Sequence, residues 1–286
     1  MSRRKPSPQP SSFAKLFRSF GHSHPPYRIF SDFCTLSAVS ISNSMREFQP
    51  PEVVERREKD YLACAKRYTK DELTLMAQML AAVTLALERN PNQDFLGNQY
   101  MEIDLGNDRI GQIFTPYHVS AMMAKMQMAD AAELLKTKRY ISISDPCVGG
   151  GAMLIAAYNA AGELGINPQT QCLFYGTDID ATVLRMAYIQ CSLLGMCGHF
   201  THGNSLSVEV WDTLSTPLFY LNAWRFGRQE RAEWEMDDHS EDTLDMVQPA
   251  IEDEPEAVDT VVEMPVIEEM WGLPTGRGAV QQLRLF

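Results

Sequence analysis

The sequence predicts an α/β fold, a parallel sheet covered by helices, and three stretches carry that prediction. The first is Tyr140-Ile141-Ser142-Ile143-Ser144, a short β-branched run. It leads into Asp145-Pro146-Cys147-Val148-Gly149-Gly150-Gly151 and then into the apolar, helix-compatible Met153 to Tyr158. Strand, glycine turn and helix in that order let backbone approach a ligand closely and aim helix N–H groups at it. The second is Cys172-Leu173-Phe174-Tyr175-Gly176, a strand pattern that ends in Thr177-Asp178-Ile179-Asp180. Helical spacing of Val183, Met186, Ala187, Ile189, Gln190 and Leu194 follows, from Ala181 to about Gly195. The third, His199 to Leu206, reads as one more short strand and turn.

The segments ahead of the first strand are helical. Residues 1–26, rich in Ser, Pro, Arg and His, are expected to be a disordered basic arm. Residues 27–96 read as a helical subdomain. Ile29, Phe30, Phe33, Leu36 and Val39 recur at helical spacing up to about Asn43, and Pro50-Pro51 breaks the pattern. A second helix spans Glu52 to Tyr68. Thr69 and Glu72 form a Thr-x-x-Glu capping box for a third, whose apolar face is Leu73, Met76, Leu80, Val83 and Leu87. Asn90-Pro91-Asn92 stops it. Asp94 to Ile110 reads as a loop. Thr115 then suits the N-cap of a helix, with Pro116 at its first position and Val119, Met122, Met123 and Met126 along one side. Residues 97–226 form the expected ligand-binding domain.

Composition narrows the class. The 286 residues, 45% of them hydrophobic, suffice for one moderate domain with appendages. No run of about 18 apolar residues is present, so no membrane span is expected, and the basic N-terminus lacks the apolar stretch of a secretory signal. The net charge of −12 is unevenly spread. Residues 230–269 hold 16 acids and one base, and the remainder is left with 21 acids, 24 bases and a net charge of +3. Residues 227–280 are therefore expected to be an acidic disordered linker, and 281–286 a terminal peptide. The six cysteines are scattered, which fits buried thiols and a cytoplasmic location. Cys191, Cys197, His199 and His202 lack zinc spacing, so no metal is expected.

Three strand ends carry polar groups: Asp145 with its glycines, Asp178 and Asn204. Ligands of open parallel sheets bind beyond the carboxyl ends of the strands. An acid ahead of the glycine turn would repel phosphate and suits a cationic amino group. An acid ending the second strand suits a ribose diol, and an Asn ending the third can pair with a base edge.

This constellation resembles the S-adenosylmethionine-dependent DNA adenine-N6 methyltransferases, particularly the methylation subunit of type I restriction systems. Four segments carry the resemblance, in order: Gly111-Gln112-Ile113-Phe114-Thr115-Pro116, the turn Asp145 to Leu154, Gly176-Thr177-Asp178-Ile179-Asp180, and Gly203-Asn204-Ser205-Leu206. The resemblance implies a Rossmann-like methyltransferase fold and S-adenosylmethionine as cofactor. It places Thr115 near the methionine part, and has Asp145, Gly149 and Gly151 cradle the amino-acid and sulfonium region. Asp178 would hold the ribose, Ile179 would pack on the adenine and Asn204 would contact the adenine amine. DNA is the implied partner.

The chain departs from that family in lacking its (Asp/Asn)-Pro-Pro-(Tyr/Phe) tetrapeptide. The nearest segment, Ser215 to Tyr220, supplies Thr216, Pro217 and Phe219 as candidate catalytic residues. Two functions are thus carried forward. One is a DNA adenine methyltransferase. The other is a catalytically silent S-adenosylmethionine-binding or DNA-associated accessory protein. The terminal Gln282-Leu283-Arg284-Leu285-Phe286 looks like the peptide by which bacterial proteins bind the sliding clamp. Within this peptide, which also includes Leu283, the residues Leu285 and Phe286 would fill an apolar groove and Gln282 would bond backbone, with the acidic stretch as tether.

Overall fold

The computed structural model describes residues 12–103 and 114–222, together with the backbone of Leu283–Arg284. The chain divides into one unit of residues 1–223 with 282–286 and another of 224–281, and all the described residues belong to the first. Its helical part is α1 (Ser12–Arg18), α2 (Pro26–Asn43), α3 (Pro51–Ala65), α4 (Lys70–Arg89) and α5 (Phe95–Glu102). The capping box is formed: the Glu72 amide donates to Thr69 Oγ1, and the Thr69 amide to Glu72 Oε2.

Two expectations need correction here. The arm predicted as disordered is ordered over its second half. Phe13 and Phe17 lie four positions apart on one face of α1, Phe20 follows in the turn after it, and all three are buried. The Phe13 ring meets Phe33, Phe95 and Phe30 edge-on, with centroids 5.4 to 6.3 Å apart. The loop read from Asp94 onward instead opens with α5. Asp94 caps that helix by accepting from the Gly97 amide at 2.8 Å. Phe95, Leu96 and Tyr100 supply its buried face.

The sheet contains β1 (Ile141–Asp145), β2 (Cys172–Asp178), β3 (Gly198–Asn204), β4 (Glu209–Ser215) and the two-residue β5 (Leu283–Arg284), in the order β4-β3-β2-β1-β5. The pairs β1–β2, β2–β3 and β1–β5 are parallel, with Asp145 opposite Gly176 and Asp178 opposite His202. Strand β4 runs antiparallel to β3 at the far edge. Its outward residues Val210 and Trp211 are exposed, so the strand shows no clear alternation in sequence.

Helices α6 (Tyr117–Gln127) and α7 (Ala131–Thr137) precede β1. Helix α8 (Ala152–Glu163) and the short α9 (Pro168–Gln171) link β1 to β2, and α10 (Ala181–Leu193) links β2 to β3. The core lies between the sheet and α8 and α10, where Leu154, Ile155, Ala157, Val183, Met186 and Ile189 are buried against Ile143, Phe174 and Phe200. The helical layer is tied to this sheet by polar contacts. Arg57 of α3, itself buried, donates to the Thr213 carbonyl at 2.6 Å and to Asp212 Oδ1 at 3.1 Å on β4. On α2, the Ser31 hydroxyl bonds that of Thr182. The alternation of strand and helix, read from the sequence as a parallel sheet under helices, is the architecture found.

Candidate ligand-binding cleft at the glycine turn

The glycine turn joins β1 to α8 through two left-handed residues, Gly149 at φ +56° and Gly151 at φ +98°. Left-handed backbone costs a non-glycine residue about 1–2 kcal/mol. At Gly151 a side chain would also press the α10 backbone, 3.2 Å from Ala187 Cα. This glycine is the residue before α8, with no side chain capping that helix, so its first-turn amides face the turn.

A small cleft of about 90 Å³, open in part to solvent, lies at this turn. Among the described residues it is lined by Asp94, Phe114, Thr115, Asp145, Cys147, Val148, Gly149, Gly150, Ala152 and Met153. Thr115, Asp145 and Gly149 are thereby brought together. Gly151 adjoins them as the last residue of the turn. Thr115 does not cap α6, however. The helix begins one residue later, with Pro116 at its N-cap, which leaves the Thr115 side chain on the cleft.

Asp145 ends β1 with 1% of its surface exposed, and its Oδ1 accepts from the Cys147 amide at 3.0 Å. Burial raises its carboxyl from 3.8 to about 6; the Asp178 carboxylate adds to that rise and the Cys147 amide opposes it. Asp94 stands opposite, 3% exposed, and burial raises it too. The sequence reading missed this second acid. Gln190 of α10 holds it: its side-chain amide donates to Asp94 Oδ1 and to the Gly150 carbonyl, both at 2.8 Å, and its carbonyl accepts from the Leu96 amide at 3.0 Å. A methyl group on Gly150 would meet Asp94 Oδ2 at 2.6 Å, so the absence of a side chain there lets the carboxylate lie over the turn.

Asp178 lies just behind the turn. Its Oδ2 accepts from the Gly149 amide at 3.0 Å and its Oδ1 from the Asp180 amide at 2.9 Å. Helix α10 is capped by Asp180, whose Oδ1 takes the Thr182 and Val183 amides, and this leaves Asp178 free of a capping role there. Ile179 is 62% exposed beside it. Asn204 closes β3, and its Oδ1 is taken by the Leu206 and Ser207 amides. Neither Ile179 nor Asn204 lines the cleft.

The candidate catalytic residues sit elsewhere. Because β4 is antiparallel, its end returns to the amino end of the parallel strands, opposite the glycine turn. Thr216 is fully buried there. Its amide donates to the Gly198 carbonyl, and its hydroxyl oxygen accepts the Gly198 and Phe219 amides. Pro217 opens the helix over 217–222, and Phe219 packs on His199 with ring centroids 3.8 Å apart. Thr216 caps this helix, and none of the three lines the cleft. A Pro-Pro-Tyr run does occur at Pro25–Tyr27, but Pro25 and Pro26 start α2, and the preceding His24 packs on the Tyr68 ring.

Cys191 and Cys197 are buried, and His199 bonds the Ser215 hydroxyl at 2.8 Å. Among the described residues no group of three or more His, Cys, Asp or Glu could hold a metal, and no helix is long and apolar enough to cross a membrane. Of the terminal peptide, Gln282, Leu285 and Phe286 lie outside the described residues; the backbone of Leu283–Arg284 pairs with Ile143 and Ser144.

A sequence model of the N-6 DNA methylase family matches residues 97–244, just over half of the chain, and spans the glycine turn and both acidic strand ends. No curated protein and no solved structure matches the chain.

Proposed function

The chain belongs to the N-6 DNA methylase family, and from that premise we propose that its cleft binds S-adenosylmethionine, the methyl donor for an adenine amine in DNA. One observation carries the reading. Asp94 and Asp145 line a single cleft, nearly buried, with Asp178 just behind. Among the described residues no Lys, Arg or His pairs with any of the three. Buried carboxylates without a counter-charge call for a cationic ligand. S-adenosylmethionine fits that demand, with an ammonium group and a sulfonium centre on one molecule.

When bound, it supplies a methyl group already activated by the charge on sulfur. The chain's own residues bind and orient. Asp145 and Thr115 take polar groups of the methionine part, and Gly149 and Gly151 allow close approach. Asp178 keeps lone pairs free for a ribose hydroxyl beyond its two backbone bonds. Ile179 offers an apolar shelf for the adenine ring, and Asn204 an amide for its edge.

A second reading is favoured by the missing tetrapeptide and by Thr216 serving as a helix cap. It is a catalytically silent, S-adenosylmethionine-binding accessory protein, tethered to the sliding clamp through Gln282, Leu283, Leu285 and Phe286. Incubation with methyl-tritiated cofactor and unmethylated bacterial DNA separates the two. Label in DNA supports the enzyme; cofactor bound without label supports the accessory protein. Deletion of Leu285 and Phe286 should abolish capture by purified clamp, and equal capture without them would end the tether reading.

A further inference from the structure

We propose that Asp94 is a ligand-contacting residue of the cleft, a second carboxylate facing one of the two cationic centres of the ligand, its ammonium or its sulfonium. This rests on the reading of the cleft as an S-adenosylmethionine site and extends it to a residue outside the four motif segments.

The geometry separates a structural half of Asp94 from an unused half. Oδ1 accepts the Gly97 amide, which caps α5, and the Gln190 side-chain amide. Oδ2 has no hydrogen bond among the described residues; it lies between Gly97 and Gly150, where a side chain on either would clash with it, in a residue that is 3% exposed and lines the cleft. Asp145 repeats the pattern across the cleft: one oxygen is bound to the Cys147 amide, and the other has no partner among the described residues. A cap needs only one oxygen, and Ser, Thr or Asn would serve it as well. A buried ionisable carboxylate with a free oxygen is an expensive choice for a cap alone. Gln190 fixes the direction of that oxygen, since it bridges Asp94 Oδ1, the Gly150 carbonyl and the Leu96 amide from a fully buried position. The carboxylate is thus held over the turn before ligand arrives, the preorganisation expected of a binding group.

The test compares the full chain with Asp94→Asn and Asp94→Ser, both of which keep an oxygen for the Gly97 amide. Calorimetric titration gives the affinity for S-adenosylmethionine, and thermal unfolding without ligand gives the stability. We expect both variants to bind about 10-fold more weakly or worse, while the unliganded Asp94→Asn unfolds at the same temperature or higher, because an unpaired buried charge is gone. A merely structural Asp94 would do the reverse, with lower stability and unchanged affinity. S-adenosylhomocysteine, which lacks the sulfonium charge, locates the contact. Equal losses for both ligands assign Asp94 to the ammonium, and a loss confined to S-adenosylmethionine assigns it to the sulfur. Unchanged affinity in both variants, with binding by the unaltered chain intact, overturns the Asp94 assignment alone. Failure of the unaltered chain to bind overturns the cofactor reading, and this inference with it.

Discussion

Replacing Gln190 by leucine tests how the turn is held. Leucine has a similar bulk but cannot form any of the three hydrogen bonds this fully buried side chain makes. The Leu96 amide and the Gly150 carbonyl lose that partner at buried positions. Asp94 keeps only the Gly97 amide. An orphaned buried polar group costs about 1–3 kcal/mol. Two of them, with a weakened third contact, put the loss at about 3–5 kcal/mol, a large part of the roughly 5–15 kcal/mol of a typical domain. In a domain of this size about 1 kcal/mol moves Tm by roughly 2–4 °C, so a fall on the order of 10 °C is expected. Urea unfolding followed by circular dichroism gives the free energy directly. A loss below about 1 kcal/mol would refute the reasoning, because the network would then be dispensable.

Four further outcomes follow from the same geometry. Asp178→Ala should weaken S-adenosylmethionine binding by about 1–3 kcal/mol, and Asp178→Asn by less, since Asn keeps one acceptor for a backbone amide; equal affinities by calorimetry would remove the ribose assignment. Burial raises Asp145 to about 6, so its contribution to the unliganded fold is present below about pH 4 and lost as pH rises through 6. A cationic ligand favours the ionised form, so affinity should rise between pH 5 and 7 with proton release, measurable from the buffer dependence of the binding heat. Burial lowers His199 to about 4 with the opposite sign: its contribution, about 3 kcal/mol, is present above pH 6.5 and lost as pH falls through 4. His199→Gln should flatten that acid-side loss in urea unfolding, and an unchanged slope would clear His199 of it. Cys147 is the exposed cysteine of the six and lines the cleft. Iodoacetamide should modify it first in the native protein, and S-adenosylmethionine should slow the reaction; mass spectrometry that finds no protection would place the ligand elsewhere.

The features legible in the sequence were the local ones. Asp145, Gly149 and Gly151 lie within seven positions, and their backbone demands are written in residue type. Asp178 was legible as a strand end, although its bond to the Gly149 amide was not. Asp94 stayed hidden because Gln190 and Gly150, which give it meaning, lie 96 and 56 positions away, and because Gly97 in the first turn of α5 looks like a break. Thr216, Pro217 and Phe219 stand at the end of the sheet opposite the glycine turn because β4 is antiparallel, and a tetrapeptide likeness carries no strand direction. Phe13, Phe17 and Phe20 stand among serines and prolines that hide them, yet two aromatics on one face of α1 and a third in the turn after it dock this short helix.

The most direct test of the central claim is a calorimetric titration of the purified full-length chain with S-adenosylmethionine at pH 7.5. The account predicts saturable binding of one molecule per chain, displaced by S-adenosylhomocysteine and weakened by Asp145→Asn. Absence of saturable binding up to millimolar ligand, from a chain whose folding is confirmed by circular dichroism, would contradict it.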